Sequence, residues 1–139
     1  MSKTIGLLLH EASALMRREF ERAARPKKLT LMQWRVLARL SDQGDMRQAE
    51  LGVAINASPM TISDVAERLE CAGLLRRDPD PEDSRAKRLA LTDAGLAKVL
   101  EMRTTAAQVF DKALDGIPED DIAGLTRALT RLIQNLEGQ

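Results

Sequence analysis

The chain has 139 residues, enough for one domain or one functional unit with helical extensions. Apolar residues make up 44% and charged residues 30%, the balance of a soluble globular chain rather than a disordered one. Lys+Arg and Asp+Glu both total 21, so there is no global basic excess and any nucleic-acid footprint has to be local.

Residue counts exclude more. Phe20, Trp34 and Phe110 are the whole aromatic complement, too few for a module that stacks bases on aromatic platforms. One cysteine, Cys71, rules out an intrachain disulfide framework, and one histidine with one distant cysteine makes a poor metal site. There is no phosphate-cradling glycine loop and no histidine beside a plausible nucleophile, so neither catalysis nor a cofactor is expected. Apolar runs fall far short of a bilayer span and the N-terminus lacks a signal-peptide pattern, which predicts no membrane partner and a cytoplasmic location.

In chain order, Ile5, Leu8, Leu9, Ala12, Met16, Phe20 and Ala23 recur at three and four, predicting a helix over 5–24 that stops before Pro26. Thr30 and Gln33 have the spacing of a capping box for a second helix. Its buried face would be Leu31, Trp34, Leu37, Ala38 and Leu40, with Gly44 as terminator. Trp34 fits inter-helix packing and, as a second reading, the wall of a ligand pocket. Gln48–Ile55 reads as a short helix with Leu51 and Ala54 inward, followed by a turn at Asn56-Ala57. Ser58 is a strong N-cap and Pro59 suits the first helical position of the next helix. Ile62, Val65, Ala66 and Leu69 mark the inward face of that helix, and Gly73 with Leu74 its end.

Leu74–Arg77 and Arg85–Leu91 read as two strands of a hairpin. Asp78-Pro79-Asp80-Pro81 between them is expected to form an unpaired, exposed tip. Thr92 then caps a long helix carrying Ala94, Leu96, Val99, Leu100, Ala107, Phe110 and Leu114. Gly116 and Pro118 separate it from a last helix whose first turn is Glu119, Asp120 and Asp121 and whose apolar stripe runs from Ile122 to Leu136. Residues 30–92 suffice for a small core of their own. The helices of 1–25 and 93–139 carry more apolar surface than that core can cover, which predicts a homodimer; packing within one chain is the alternative.

A helix, a tight turn and a second helix followed by a charged hairpin form a shape suited to one groove of DNA and reach toward the next. Ser58, Pro59, Met60, Thr61 and Ser63 place small or flexible side chains at a helix N-terminus, where base edges and phosphates can come close. Arg68 lies within reach of backbone or base, and Arg76, Arg77, Arg85, Lys87 and Arg88 flank the hairpin. Across Ser58–Thr92, however, six basic residues stand against seven acidic ones, so charge alone does not mark the element. A solvated surface, and a winged-helix protein–protein adaptor without DNA binding, stay open on that count.

The stretch QAELGVAINASPMTISDVAERLECAGLLRR followed by DSRAKRLALTDAG resembles the winged-helix core of the MarR family of bacterial transcription regulators. LTLMQWRVLARL is similar to that family's second helix and LLHEASALMRREFERAA to its first, so the likeness spans nearly the whole chain. Its most specific parts are the D-x-R-x-x-x-x-x-L-T run, present as Asp83, Arg85, Leu91 and Thr92, and the LExxGLxxR run that starts at Leu69. The resemblance implies a mainly α fold with a small β-hairpin wing: a winged helix-turn-helix with flanking N- and C-terminal dimerisation helices. It implies a homodimer on double-stranded DNA with a palindromic operator, usually a repressor, often released by a small aromatic or phenolic acid. Recognition helices at about Ser58–Ala72 would enter the major groove. Arg85, oriented by Asp83, would sit near the minor groove, and the pocket beside the dimerisation helices would hold the effector, with His10 and Trp34 as candidates.

Two residues stand apart. Relatives often carry a basic residue where this chain has Asp64, which either pairs with Arg68 one turn later or accepts from cytosine N4. Cys71, beside Glu70, reads as a small packing residue rather than a redox thiol, because a neighbouring carboxylate disfavours thiolate.

Overall fold

The computed structural model describes residues 3–138. Thr4 caps α1 (Ile5–Ala24), its Oγ1 accepting from the Leu7 N–H. Pro26 does end the α-helix, but the chain continues through one 3-10 turn, Arg25–Lys27, before Lys28 reverses it at φ +61°. The capping box opens α2 (Leu31–Gln43): the Gln33 N–H donates to Thr30 Oγ1 at 3.1 Å and the Thr30 N–H to Gln33 Oε1 at 3.0 Å. Gly44, at φ +79°, closes it.

A two-residue strand, β1 (Met46–Arg47), precedes α3 (Gln48–Ala54) and α4 (Pro59–Cys71). Periodicity gives no sign of it, because two residues carry no alternation. β2 (Leu75–Pro79) and β3 (Lys87–Leu91) form the hairpin, and the sheet is antiparallel with order β1-β3-β2. The wing is therefore three-stranded at its base, with Met46 opposite Leu89 and Leu75 opposite Leu91. Asp78 and Pro79, expected in the unpaired tip, instead pair with Arg88 and Lys87. Pairing survives the proline because β2 is an edge strand, where a missing N–H is tolerated.

α5 (Asp93–Ala113) and α6 (Glu119–Glu137) complete the chain. The core gathers Val36, Leu37 and Leu40 of α2, Leu51 of α3, and Ile62, Val65, Ala66 and Leu69 of α4. Leu75 and Leu89 of the sheet and Val99 and Met102 of α5 join it. Two expected faces are corrected. In α3 it is Leu51 and Gly52 that turn inward, while Ala54 is exposed; a Cβ on Gly52 would stand 3.1 Å from Ile62 Cγ2, so the missing side chain lets α3 and α4 close up. In α5 the buried line is Gly95, Val99 and Met102, and Leu96 and Leu100 are exposed with Ala94.

Two contacts fix the wing to the helices. At its foot, Thr92 Oγ1 donates to the Gly73 carbonyl at 2.6 Å and accepts from the Gly95 N–H at 3.0 Å. There the Leu74 carbonyl lies so near Gly95 that a Cβ would stand 1.9 Å from its oxygen. At the far end, Asp80 is buried, only 5% exposed, rather than part of a solvated loop. Its Oδ2 lies 2.7 Å from Arg47 Nη2, with the N–H off line, so the contact is a charge pair rather than a directed hydrogen bond. Arg88 Nη1 faces Asp80 Oδ1 at 3.8 Å. Elsewhere Glu101 of α5 takes a hydrogen bond from Lys27 and sits beside Lys98, which hold its carboxyl below the usual range.

The close approach at Gly95 yields a stability prediction. Gly95→Ala forces backbone apart at the start of α5, and overpacking of this kind costs about 1–3 kcal/mol or more. Urea titration followed by circular dichroism should show a lower midpoint, whereas Gly124→Ala, with only the Arg127 side chain nearby, should leave it unchanged or raised.

Candidate nucleic-acid interface and ligand cavity

Ser58 is the N-cap of α4, as its residue type dictates. Its Oγ accepts from the Thr61 N–H at 3.1 Å and donates to Thr61 Oγ1 at 2.9 Å, with Pro59 at the first helical position. With Ile62, Val65, Ala66 and Leu69 buried, the solvent side of the helix is set: Met60, Thr61, Asp64, Glu67, Arg68 and Cys71 are exposed and Ser63 is half-buried. Asp64 Oδ2 accepts from Arg68 Nε at 3.0 Å, so the carboxylate and the one cation of this helix face are engaged with each other. Cys71 is exposed rather than packed, since the inward phase passes through Leu69 and leaves position 71 outside.

The wing residues divide into two groups. Arg77 is turned back onto α4: its Nε donates to Glu70 Oε1 at 3.1 Å and its backbone N–H to Glu70 Oε2 at 3.3 Å. Arg88 is likewise internal, donating to the Asp45 carbonyl at 3.2 Å beside Asp80. Arg76 lies 3.5 Å from Asp78. Arg85 differs. Its side chain is 91% exposed, and Asp83 Oδ1 accepts from its backbone N–H at 3.0 Å and lies 3.4 Å from its Nε. A short loop carboxylate thus aims one arginine outward from the wing. Of the sequence candidates, Ser58, Pro59, Met60, Thr61, Ser63, Asp64 and Arg68 share α4 and its cap, and Asp83 and Arg85 share the wing loop. Arg77 and Arg88 hold the scaffold.

Sequence reasoning missed Arg47 and Asp80. Alternation offered no signal for either, although an acid between two prolines in a turn, where exposed charge is the ordinary expectation, was the one visible oddity.

A second feature lies between α1, α2 and α5. Phe20 packs edge-on against Trp34 at 5.2 Å between ring centroids and against Phe110 at 5.4 Å, so all three aromatics meet in one cluster. Beside it is an open cavity of about 340 Å³ lined by Ser13, Met16, Arg17 and Phe20 of α1, Leu31, Trp34, Arg35 and Ala38 of α2, and Ala106 of α5. Trp34 therefore packs against Phe20 and also lines the cavity. His10 is exposed on α1 and does not line this cavity. Arg17 and Arg35, which sequence reasoning did not single out, stand on its wall and put positive charge beside an aromatic floor. Among the described residues no cluster of three metal-ligating side chains occurs, and no helix is long and apolar enough to cross a membrane.

Comparison with known proteins agrees with this architecture. The sequence profile of the MarR family matches residues 29–87. The transcriptional repressor IacR of Pseudomonas putida is 29% identical over 117 residues, covering 84% of this chain and 70% of the relative. The structure of BpsR from Bordetella bronchiseptica, described for the regulation of its DNA binding by 6-hydroxynicotinic acid, superposes with a TM-score of 0.82. It is 30% identical and covers 95% of this chain and 94% of that one. Apo wild-type MarR from E. coli has the same fold, with a TM-score of 0.86 at 22% identity over 95% of this chain and 98% of that one. The chain belongs to the MarR family, a family of transcriptional regulators and not of enzymes.

Proposed function

We propose that this chain acts in the cytoplasm as a homodimeric, sequence-specific repressor that binds a palindromic operator and is released by a small aromatic acid. The observation that carries the DNA-binding part is Arg85: one outward arginine, oriented by Asp83, on a wing fixed to a helix whose capped N-terminus is solvent-exposed. Residues 30–92 form the DNA-binding lobe of this reading. Ser58–Ser63 and Arg68 face the major groove and Arg85 the minor groove, where a guanidinium is favoured by the concentrated negative potential.

Dimerisation through residues 1–25 and 93–139 is supported by what these helices leave uncovered. α6 buries none of its residues against its own chain, and Leu125, Leu132, Ile133 and Leu136 are exposed along it. Ile5, Leu8, Leu9 and Leu15 are exposed on α1. Apolar stripes of this length are covered in a working protein, and a second copy, related by a two-fold axis, covers them symmetrically and matches a palindrome.

The effector part rests on the cavity. A ring of one or two aromatic cycles fits about 340 Å³ against Phe20 and Trp34, and a carboxylate would meet Arg17 and Arg35. BpsR, a similar protein, responds to a ligand of this chemistry.

Three outcomes are expected. In sedimentation the full chain runs as a dimer, and Leu132→Asp shifts it toward monomer while the helical content of the lobe is kept; a wild-type monomer at micromolar concentration would remove the dimer. Selection from random duplexes should enrich an inverted repeat. On that repeat Arg85→Ala should bind more weakly, and its salt slope should be shallower by about one unit for each phosphate that Arg85 neutralises. Enrichment of no repeat would favour the adaptor reading over the regulator. Titrating aromatic carboxylates such as 6-hydroxynicotinate into the operator complex should release DNA, and Arg17→Ala with Arg35→Ala should raise the ligand concentration needed by roughly tenfold or more. No release by any aromatic acid would leave a regulator without this control.

A further inference from the structure

Met60 and Val53, each 83% exposed, are the most exposed large hydrophobic side chains of the described residues. Met60 stands in the first turn of α4, directly after Pro59, where nothing in the chain covers it and where no packing role accounts for it. Several polar groups around it are engaged with one another. Ser58 Oγ both accepts from Thr61 and donates to it, and one turn on Asp64 and Arg68 bind each other at 3.0 Å. The first two turns of α4 therefore offer no free cation to read guanine O6 and N7, which is how a major-groove guanine is commonly recognised. They offer a flexible thioether instead.

We propose that Met60 is a specificity-determining residue that packs against the C5-methyl group of a thymine in each operator half-site. This rests on the DNA-binding reading above and adds to it the base that the helix selects. The thymine methyl is the one apolar group that a base pair displays in the major groove. An unbranched thioether with several rotatable bonds adapts its shape to such a group. Placed over guanine or over an adenine edge, the same side chain would cover acceptors and donors without bonding them, and unmade hydrogen bonds penalise those bases. Thymine is thereby favoured by contact and its competitors are disfavoured by desolvation. The Asp64–Arg68 pair adds to this, because Arg68 reaches a guanine only by giving up its contact with Asp64.

The test uses the full chain and the duplex that it enriches from a random library. In that duplex each symmetric pair of thymines is replaced by deoxyuridine, which deletes the methyl group and leaves every hydrogen-bonding group in place. One symmetric pair should respond, with a loss of affinity of roughly fourfold per methyl and on the order of tenfold for both half-sites. Met60→Ala should bind the thymine and deoxyuridine duplexes equally, and Met60→Leu should keep most of the discrimination. Two results would overturn the assignment: no deoxyuridine position that weakens binding, or a deoxyuridine penalty that persists undiminished in Met60→Ala. Failure to enrich any duplex would overturn it together with the DNA-binding reading, and is told apart by occurring before any base is changed.

Discussion

The pairing of Asp80 with Arg47 and Arg88 is the constraint on which the geometry of the wing depends. A carboxylate that is almost wholly out of water has to be matched by positive charge, because desolvating it unpaired costs several kcal/mol. Its partners come from different places: Arg47 ends β1 and leads into α3, and Arg88 lies on β3. One buried charge therefore joins the first helix of the helix-turn-helix to the returning strand of the wing. Arg47 is about a third exposed, and its guanidinium also lies 3.5 Å from Glu82 and 3.9 Å from Glu50. Water screens the outer side of this cluster, so its contribution falls below that of a fully enclosed pair. Its value is geometric, since it ties the wing loop to the start of α3.

The same pairing of charge runs through the wing and α4 of this chain of zero net charge. Most wing and α4 cations are engaged internally: Arg77 on Glu70, Arg76 near Asp78, Arg88 near Asp80, and Arg68 on Asp64. Of these, the pairs of Arg77 and Arg88 hold the scaffold, while those of Arg68 and Arg76 are exposed, and each pair subtracts from the positive field around the wing and α4. What remains is a small number of directed groups rather than a basic surface. On the proposed reading, such a surface would draw little binding energy from counterion release and would depend on fit, which favours discrimination between sequences over indiscriminate attachment.

Much of the fold was legible because it is written in local chemistry. Thr30 with Gln33, Ser58 with Pro59, and Thr92 each declare a helix start through a side chain that satisfies a backbone N–H, and all three caps are present. The three-and-four spacing of Ile62, Val65, Ala66 and Leu69 fixed the buried side of α4, and with it the exposed stripe. What was not legible depends on distant partners. β1 exists only because Met46 and Arg47 find β3 some forty residues later. Asp80 reads as a loop acid until Arg47 closes over it. The glycine at 95 reads as an ordinary early-helix residue until the Leu74 carbonyl arrives against it. For α5 periodicity offered more than one apolar phase, and the packing of α1, α2 and β3 against it selects the line through Val99 and Met102.

Position in the fold also bears on how an effector would act. α2 touches α1 and α5 as well as α4 and β3, so it is shared by the cavity and the winged-helix lobe. The aromatic cluster of Phe20, Trp34 and Phe110 ties α1, α2 and α5 at the cavity wall. A close-packed junction of this sort does not deform by degrees; it repacks between alternatives. On the proposed reading, a ligand beside Trp34 changes DNA affinity only to the extent that it binds one arrangement of α1 against α2 more tightly than the other. On the same reading Arg17 and Arg35 would supply that difference, because they stand on α1 and α2 at the cavity wall and a carboxylate held by both would fix one arrangement of the two helices. The wing is tied to α4 by Glu70–Arg77 and to the start of α3 by the buried Asp80 with Arg47.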